Sequence, residues 1–197
     1  MTKIYITPAT TTTLSSSLNP SIYGQSVTFA ATVTSSLGPP PNEETVTFTK
    51  GTTTLGTVAL SGGSASFTSS TLPAASYNVR AVYGGDANLV GSASNIVMQV
   101  VNKATTTTTL TSSQNPSSFG QSVTFTAHVA PQYSGTVSGQ VTFKNGTTAL
   151  ATVTLSSGVA KYTTKNLPVG TNPITGVYNG NPSFVASTSN TVNQVVK

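Results

Sequence analysis

Hydrophobic residues occupy every second position over much of this chain. Val27, Phe29, Ala31 and Val33 alternate with Thr28, Ala30 and Thr32, and Val123, Phe125, Ala127 and Val129 repeat the pattern. A period of two belongs to a strand with one face buried and the other in solvent. Shorter runs follow: Val46 and Phe48, Val58 and Leu60, Ala65 and Phe67, then Tyr77, Val79, Ala81 and Tyr83, with Ile96 to Val101 last. Turn signals separate them, among them Lys50-Gly51, Asn145-Gly146, Gly62-Gly63, Ser157-Gly158, Gly84-Gly85-Asp86 and Asn179-Gly180-Asn181. Asn-Gly between alternating segments is a strong hairpin cue. The pattern predicts about seven short strands in each half of the chain, the layout of an aligned two-sheet sandwich. Phe29, Phe48 and Tyr83 are the expected core of one half, and Phe125, Phe143 and Tyr178 that of the other.

The two halves are copies. Leu14 matches Leu110, Asn19-Pro20 matches Asn115-Pro116, and Gly24-Gln25-Ser26-Val27-Thr28-Phe29 recurs at 120–125. After a one-residue slip near residues 35–45, Val46-Thr47-Phe48 returns as Val141-Thr142-Phe143, Leu72-Pro73 as Leu167-Pro168, and Val100-Val101 as Val195-Val196. The slip falls in a stretch that is proline-rich in copy one (Pro39-Pro40-Pro41) and glycine-rich in copy two, which marks a surface loop. The expected organisation is an arm over 1–8, one domain over 9–102 and a second over 103–197. Only Asn102, Lys103 and Ala104 separate Val101 from Thr105. So short a connection lacks the Gly/Ser composition of a flexible tether, and the two sandwiches are expected to sit end to end.

These motifs carry a family resemblance. Asn-Pro-Ser, then Gly-Gln-Ser-Val-Thr-Phe-x-Ala, Val-Thr-Phe, a Leu-Pro corner and Val-Tyr-x-Gly-Asp/Asn resemble the bacterial Ig-like repeats of group 3. The resemblance spans 9–102 and 104–197. It implies an immunoglobulin-like β-sandwich without the disulfide and core tryptophan of antibody domains, and membership of long arrays in large surface or secreted proteins. It implies no particular activity, since a fold hosts many functions. Ile4-Tyr5-Ile6 falls where the last strand of a preceding repeat would finish, and Lys197 where a next connection would begin. The chain is therefore read as a piece of a longer array with Met1 added for expression; a native start with a short arm is the alternative.

Composition narrows the chemistry. Charged residues make up 6% of the chain, while 38 Thr and 27 Ser account for a third of it. With 36% hydrophobic residues at regular spacing, the chain is folded, its polarity carried by hydroxyls on strand faces. It has no cysteine, so neither disulfides nor thiolate metal sites arise. Eight cations against three acids give a net charge of +5. The cations are scattered, unlike the patch or stripe of a nucleic-acid binder, and no nucleic-acid partner is expected. No stretch approaches the ~20 apolar residues of a membrane span, and residues 1–8 lack the apolar core of a signal peptide.

Catalysis needs clustered titratable groups. The acids are Glu43, Glu44 and Asp86, and residues 103–197 contain none. Paired-carboxylate hydrolysis and a carboxylate Ca²⁺ site cannot be assembled in copy two. Asp86 follows Gly84-Gly85 and is replaced by Asn181 in copy two; both suit a turn held by side-chain to backbone hydrogen bonds. Glu43-Glu44 reads as a solvated loop tip. The single histidine, His128, lies between Ala127 and Val129 and should face outward, without the further ligands zinc requires. The hydroxyls have no base to activate them. Asn145-Gly146-Thr147 matches a glycosylation sequon, but as a hairpin turn it needs no sugar. Tyr23 and Phe119 recur at matching positions, which favours packing under a loop. Tyr133 is the unmatched aromatic and the one candidate partner contact.

The sequence thus points to no enzyme, cofactor or metal site. It points to a non-catalytic stalk or adhesion segment of a larger surface or secreted protein, extracellular and without membrane insertion. The expected partners are neighbouring Ig-like repeats and a protein or glycan surface. A virion decoration or fibre protein and a carbohydrate-binding accessory module are the alternatives.

Overall fold

A computed structural model describes residues 7–197; Ile4-Tyr5-Ile6 lie outside the described residues. The chain divides into two compact units, the first ending at Asn102 and the second beginning at Lys103.

In the first unit the strands are β1 (Thr10–Ser16), β2 (Ser21–Ile22), β3 (Val27–Ser35), β4 (Thr45–Lys50), β5 (Thr53–Ala59), β6 (Ser64–Ser69), β7 (Ser76–Gly85), β8 (Val90–Ala93) and β9 (Val97–Asn102). One sheet is ordered β1-β3-β6; the other is β2-β9-β7-β4-β5, with β8 also paired to β7. The second unit repeats this with β10 (Thr106–Ser112), β11 (Val123–Pro131), β12 (Gln140–Asn145), β13 (Thr148–Thr154), β14 (Val159–Thr164), β15 (Gly170–Tyr178), β16 (Ser187–Thr188) and β17 (Val192–Val196). Its sheets are β10-β11-β14 and β13-β12-β15, with β16 and β17 both on β15.

Alternation in sequence becomes alternation in burial. Val27, Phe29, Ala31 and Val33 on β3 are buried, and Ala30, Thr32 and Thr34 are exposed. The expected core residues Phe29, Phe48, Phe125, Phe143 and Tyr178 are wholly buried, and Tyr83 is 2% exposed. Around them, Phe48 stacks on Phe67 at 5.9 Å and Phe143 tilts onto Tyr162 at 5.6 Å, the offsets aromatic pairs favour. Gly56 makes the first contact possible: a Cβ there would lie 2.7 Å from the Phe67 ring.

Among the described residues the units hold nine and eight strands where about seven each were expected. The extra elements arise where polar side chains interrupt the alternation. Asn19-Pro20, joined by a cis peptide bond, splits the first strand from β2, which pairs parallel with β9. Ser94-Asn95 separates β8 from β9, and Ile96, read as part of the last strand, is exposed outside it. The β4–β5 hairpin turns on Gly51-Thr52, with Gly51 at φ 55°, so the glycine opens the loop; a positive φ is open to Gly at no steric cost.

Candidate functional site

The three acids converge at one end of the first unit. The Tyr83 hydroxyl, at the buried foot of β7, donates to the Glu44 carboxylate. Glu44 is therefore no mere solvated loop tip, which corrects the reading from sequence: its neighbour Glu43 is exposed, but Glu44 is half-buried. Burial, followed by the hydrogen bond and charge of Glu44 and the charge of Asp86, pushes the Tyr83 hydroxyl well above its usual range. Asp86 Oδ1 accepts from the backbone N–H of Asn88 at 2.8 Å and Leu89 at 2.7 Å. The Asn88 N–H is the largest cause of the lowered Asp86 pKa; burial opposes it, and the Leu89 N–H and the Asn88 and Glu44 side chains add to it.

The second unit builds the same turn without an acid. Asn181 Oδ1 accepts from the N–H groups of Ser183 and Phe184, both at 2.8 Å. The Tyr178 hydroxyl donates to the Ser138 carbonyl at 2.8 Å, and burial raises its pKa. Asp86 and Asn181 are thus turn residues, as their sequence context suggested. Among the described residues no three His, Cys, Asp or Glu side chains are placed to hold a metal ion.

The remaining candidates do not gather. His128 is exposed on β11, opposite Thr109 and Val159, with Ala127 and Val129 buried on either side. Tyr133 is half-buried in the β11–β12 connection. Asn145 ends β12, and its Nδ2 donates to Asn172 Oδ1 at 2.8 Å. Tyr23 packs against the core of its unit, but Phe119 is 67% exposed. The shared packing role expected for that pair therefore holds for the tyrosine alone, since matching positions in a repeat do not guarantee matching loop packing.

What sequence reasoning missed is a set of amides and hydroxyls, some of them fully buried, joining the two sheets. Gln99 is fully buried; its Oε1 accepts from Ser16 Oγ at 2.6 Å and its Nε2 donates to the Leu18 carbonyl at 2.9 Å. Gln194 accepts from Ser112 Oγ at 2.6 Å in the same way. Asn19 Oδ1 accepts from the Val100 N–H and its Nδ2 donates to the Met98 carbonyl, and Asn115 does the same with Val195 and Asn193. Thr10 and Thr12 share hydrogen bonds with Ser92, as Thr106 and Thr108 do with Ser187. Among the described residues no buried side-chain polar atom lacks a partner, which is what a polar network must achieve to be stable. A signal existed: each of these residues recurs in the other copy.

Two mainly antiparallel sheets, closed by the same amide and hydroxyl contacts in both units, define a tandem of immunoglobulin-like β-sandwiches. The profile of the bacterial Ig-like domain (group 3) matches twice, over residues 12–102 and 110–197, and the chain belongs to that family. No curated protein matches it in sequence. Solved structures to which it is similar include the fibronectin(III)-like modules of CbhA from Clostridium thermocellum, at 17% identity over 93% of this chain and 94% of that one, with a TM-score of 0.36. The D0-D1 domain of intimin gives 19% identity, 93% and 97% coverage and 0.35. The adhesin InvE of Yersinia pseudotuberculosis gives 17%, 92% and 58%, and 0.43.

Proposed function

We propose that this chain is a non-catalytic stalk or adhesion segment of a larger extracellular or cell-surface protein, its two sandwiches joined by the short connection at 102–104. The carrying observation is where the chain enters and leaves each unit. Ala9 bridges to Val90, which faces Gly85 at the last residue of β7, whereas Val100 faces Ser76 at the first. The second unit does the same: Ala104 bridges to Phe184 beyond the Tyr178 end of β15, and Val196 faces Gly170 at the other end. The path from one end to the other follows a ten-residue strand, about 30 Å long. Tension applied through the chain therefore runs along the strands of both units, as a spacer requires.

The connection is held on both sides. The Tyr23 N–H donates to the Asn102 carbonyl in the first unit, and in the second the fully buried Ala104 donates to Ser183 O and accepts from Val185 N–H. The scarcity of clustered titratable groups supports the non-catalytic part of the reading. Single-molecule stretching tests it: a distinct resistance to force from each unit is expected, and extension without force peaks would overturn it.

A further inference from the structure

The tight turn Ser156–Val159, which carries the chain from β13 in one sheet to β14 in the other, has two hollows beside it. One, of about 250 Å³, is lined by His128, Gly135, Val137, Ser157 and Gly158 among others. The second, of about 450 Å³, is lined by Thr154, Ser156, Val159 and Lys161. The first hollow reflects the one loop that differs in length between the copies. In the first unit Pro39 lies against the corresponding turn, so close that a Cβ on Gly63 would sit 2.8 Å from its Cβ. In the second unit a Cβ on the matching Gly158 would meet only the Val129 carbonyl, at 3.0 Å. Replacing the proline loop has cleared that ground.

The chemistry around these hollows is also peculiar to the second unit. His128 stands where the first unit has Thr32, and Lys161 where it has Ser66. His128 pairs with Val159 and Lys161 with Thr126, so the two are diagonal neighbours on adjacent strands, about 7–8 Å apart. Both are exposed. The Val129 N–H donates to the Gly158 carbonyl, and the N–H and C=O of Val159 are both taken by Ser156; by the alternation of antiparallel pairing, the backbone N–H and C=O of Lys161 aim off the sheet edge. The charge differs in the same sense. The first unit balances Lys3, Lys50 and Arg80 against Glu43, Glu44 and Asp86, while the second carries five lysines and no acid, the whole of the net +5.

We propose that this face of the second unit binds an anionic polysaccharide, with Lys161 taking a carboxylate or sulfate group and His128, Thr154, Ser156 and Ser157 taking sugar hydroxyls. An ammonium beside an anion makes the stronger, charge-assisted kind of hydrogen bond, and hydroxyls both donate and accept. The lining offers no aromatic or arginine anchor for a protein hot spot. It has one lysine, where a nucleic acid would call for a row of cations. The proposal adds a contact to the stalk reading without depending on it: stretching reads the load path through each unit, and binding reads this face.

The test uses the full chain at low ionic strength against immobilised dextran sulfate and polygalacturonate, with neutral dextran and polyaspartate alongside. Retention on one or both anionic polysaccharides, weakening as salt rises, is expected, with none on neutral dextran. The double variant H128T/K161S installs residues that the first unit already carries at these places, so the fold should hold, as a circular dichroism spectrum and melt would verify. It should weaken binding by about tenfold or more, the scale of one lost charge-assisted contact. Lys144→Gln, on the opposite sheet, should leave binding unchanged. No retention on either polysaccharide, or equal binding by H128T/K161S, would overturn the proposal. So would polyaspartate held as tightly and lost with the same variant, which would make this a site for acidic polypeptides.

Discussion

Asn95 closes on Leu14 with both ends of its carboxamide: the Leu14 N–H donates to Asn95 Oδ1 at 3.0 Å, and Asn95 Nδ2 donates to the Leu14 carbonyl at 3.1 Å. A side chain here does what a neighbouring strand would do for β1. Asn190 repeats the clamp on Leu110 at 2.9 and 3.1 Å. The preceding serines complete it, Ser94 Oγ accepting from the Ala81 N–H and Ser189 Oγ from the Gly176 N–H. Each clamp fastens the first strand of one sheet to the last part of the other.

Asn190→Ala should therefore destabilise the second unit through loss of both bonds to Leu110. A part-buried backbone pair left without partners costs about 1–3 kcal/mol. Asn190→Asp should also destabilise it, because a carboxylate cannot donate to the Leu110 carbonyl. Urea unfolding followed by a probe in the second unit reads the effect; an unchanged midpoint for both variants would remove the clamp from the account.

Phe125→Ala tests the core. Phe125 is fully buried, and truncating such a residue costs about 3–5 kcal/mol, much of a small domain's stability. The second unit should melt well below the first in the same chain, giving two transitions where the parent shows them closer together. A single unshifted transition would contradict the assignment of inward faces.

The acids make the units differ in their response to low pH. The Asp86 carboxyl is held below its ordinary 3.8, chiefly by the Asn88 N–H. A depressed folded pKa stabilises the fold above the unfolded value, and that contribution is lost as pH falls through the folded one. The first unit should thus lose stability below about pH 4, while the second, lacking carboxylate side chains, should barely respond. Asp86→Asn, which copies Asn181, should flatten the first unit's profile. Thermal melts at pH 5 and pH 2.5 decide it, with equal losses in both units as the contrary result.

The strand faces were legible in the sequence because burial and alternation are the same fact seen twice: Val27 to Val33 and Val123 to Val129 point inward as their spacing requires. Repetition made the boundary near residue 102 readable. The clamps were not, because Asn95 lies just before, and Gln99 inside, the stretch read as the last strand, and pattern alone cannot say that an amide will stand in for a strand. The outward direction of His128 was legible, but the hollow beside it was not. That hollow depends on whether Pro39 or the glycine-containing loop lies against the turn between the sheets, a tertiary contact with no periodic signature.

Stretching single molecules by their two ends tests the central claim, that the chain is two self-contained sandwiches carrying load in series. Near the point where the chain leaves the first unit, Ser21 pairs parallel with Val101, so tension on that unit shears several hydrogen bonds together. Two separate unfolding events are expected, each releasing about 300 Å, the extended length of roughly 93 residues less the folded span. A single event of twice that length, or featureless extension, would contradict the account.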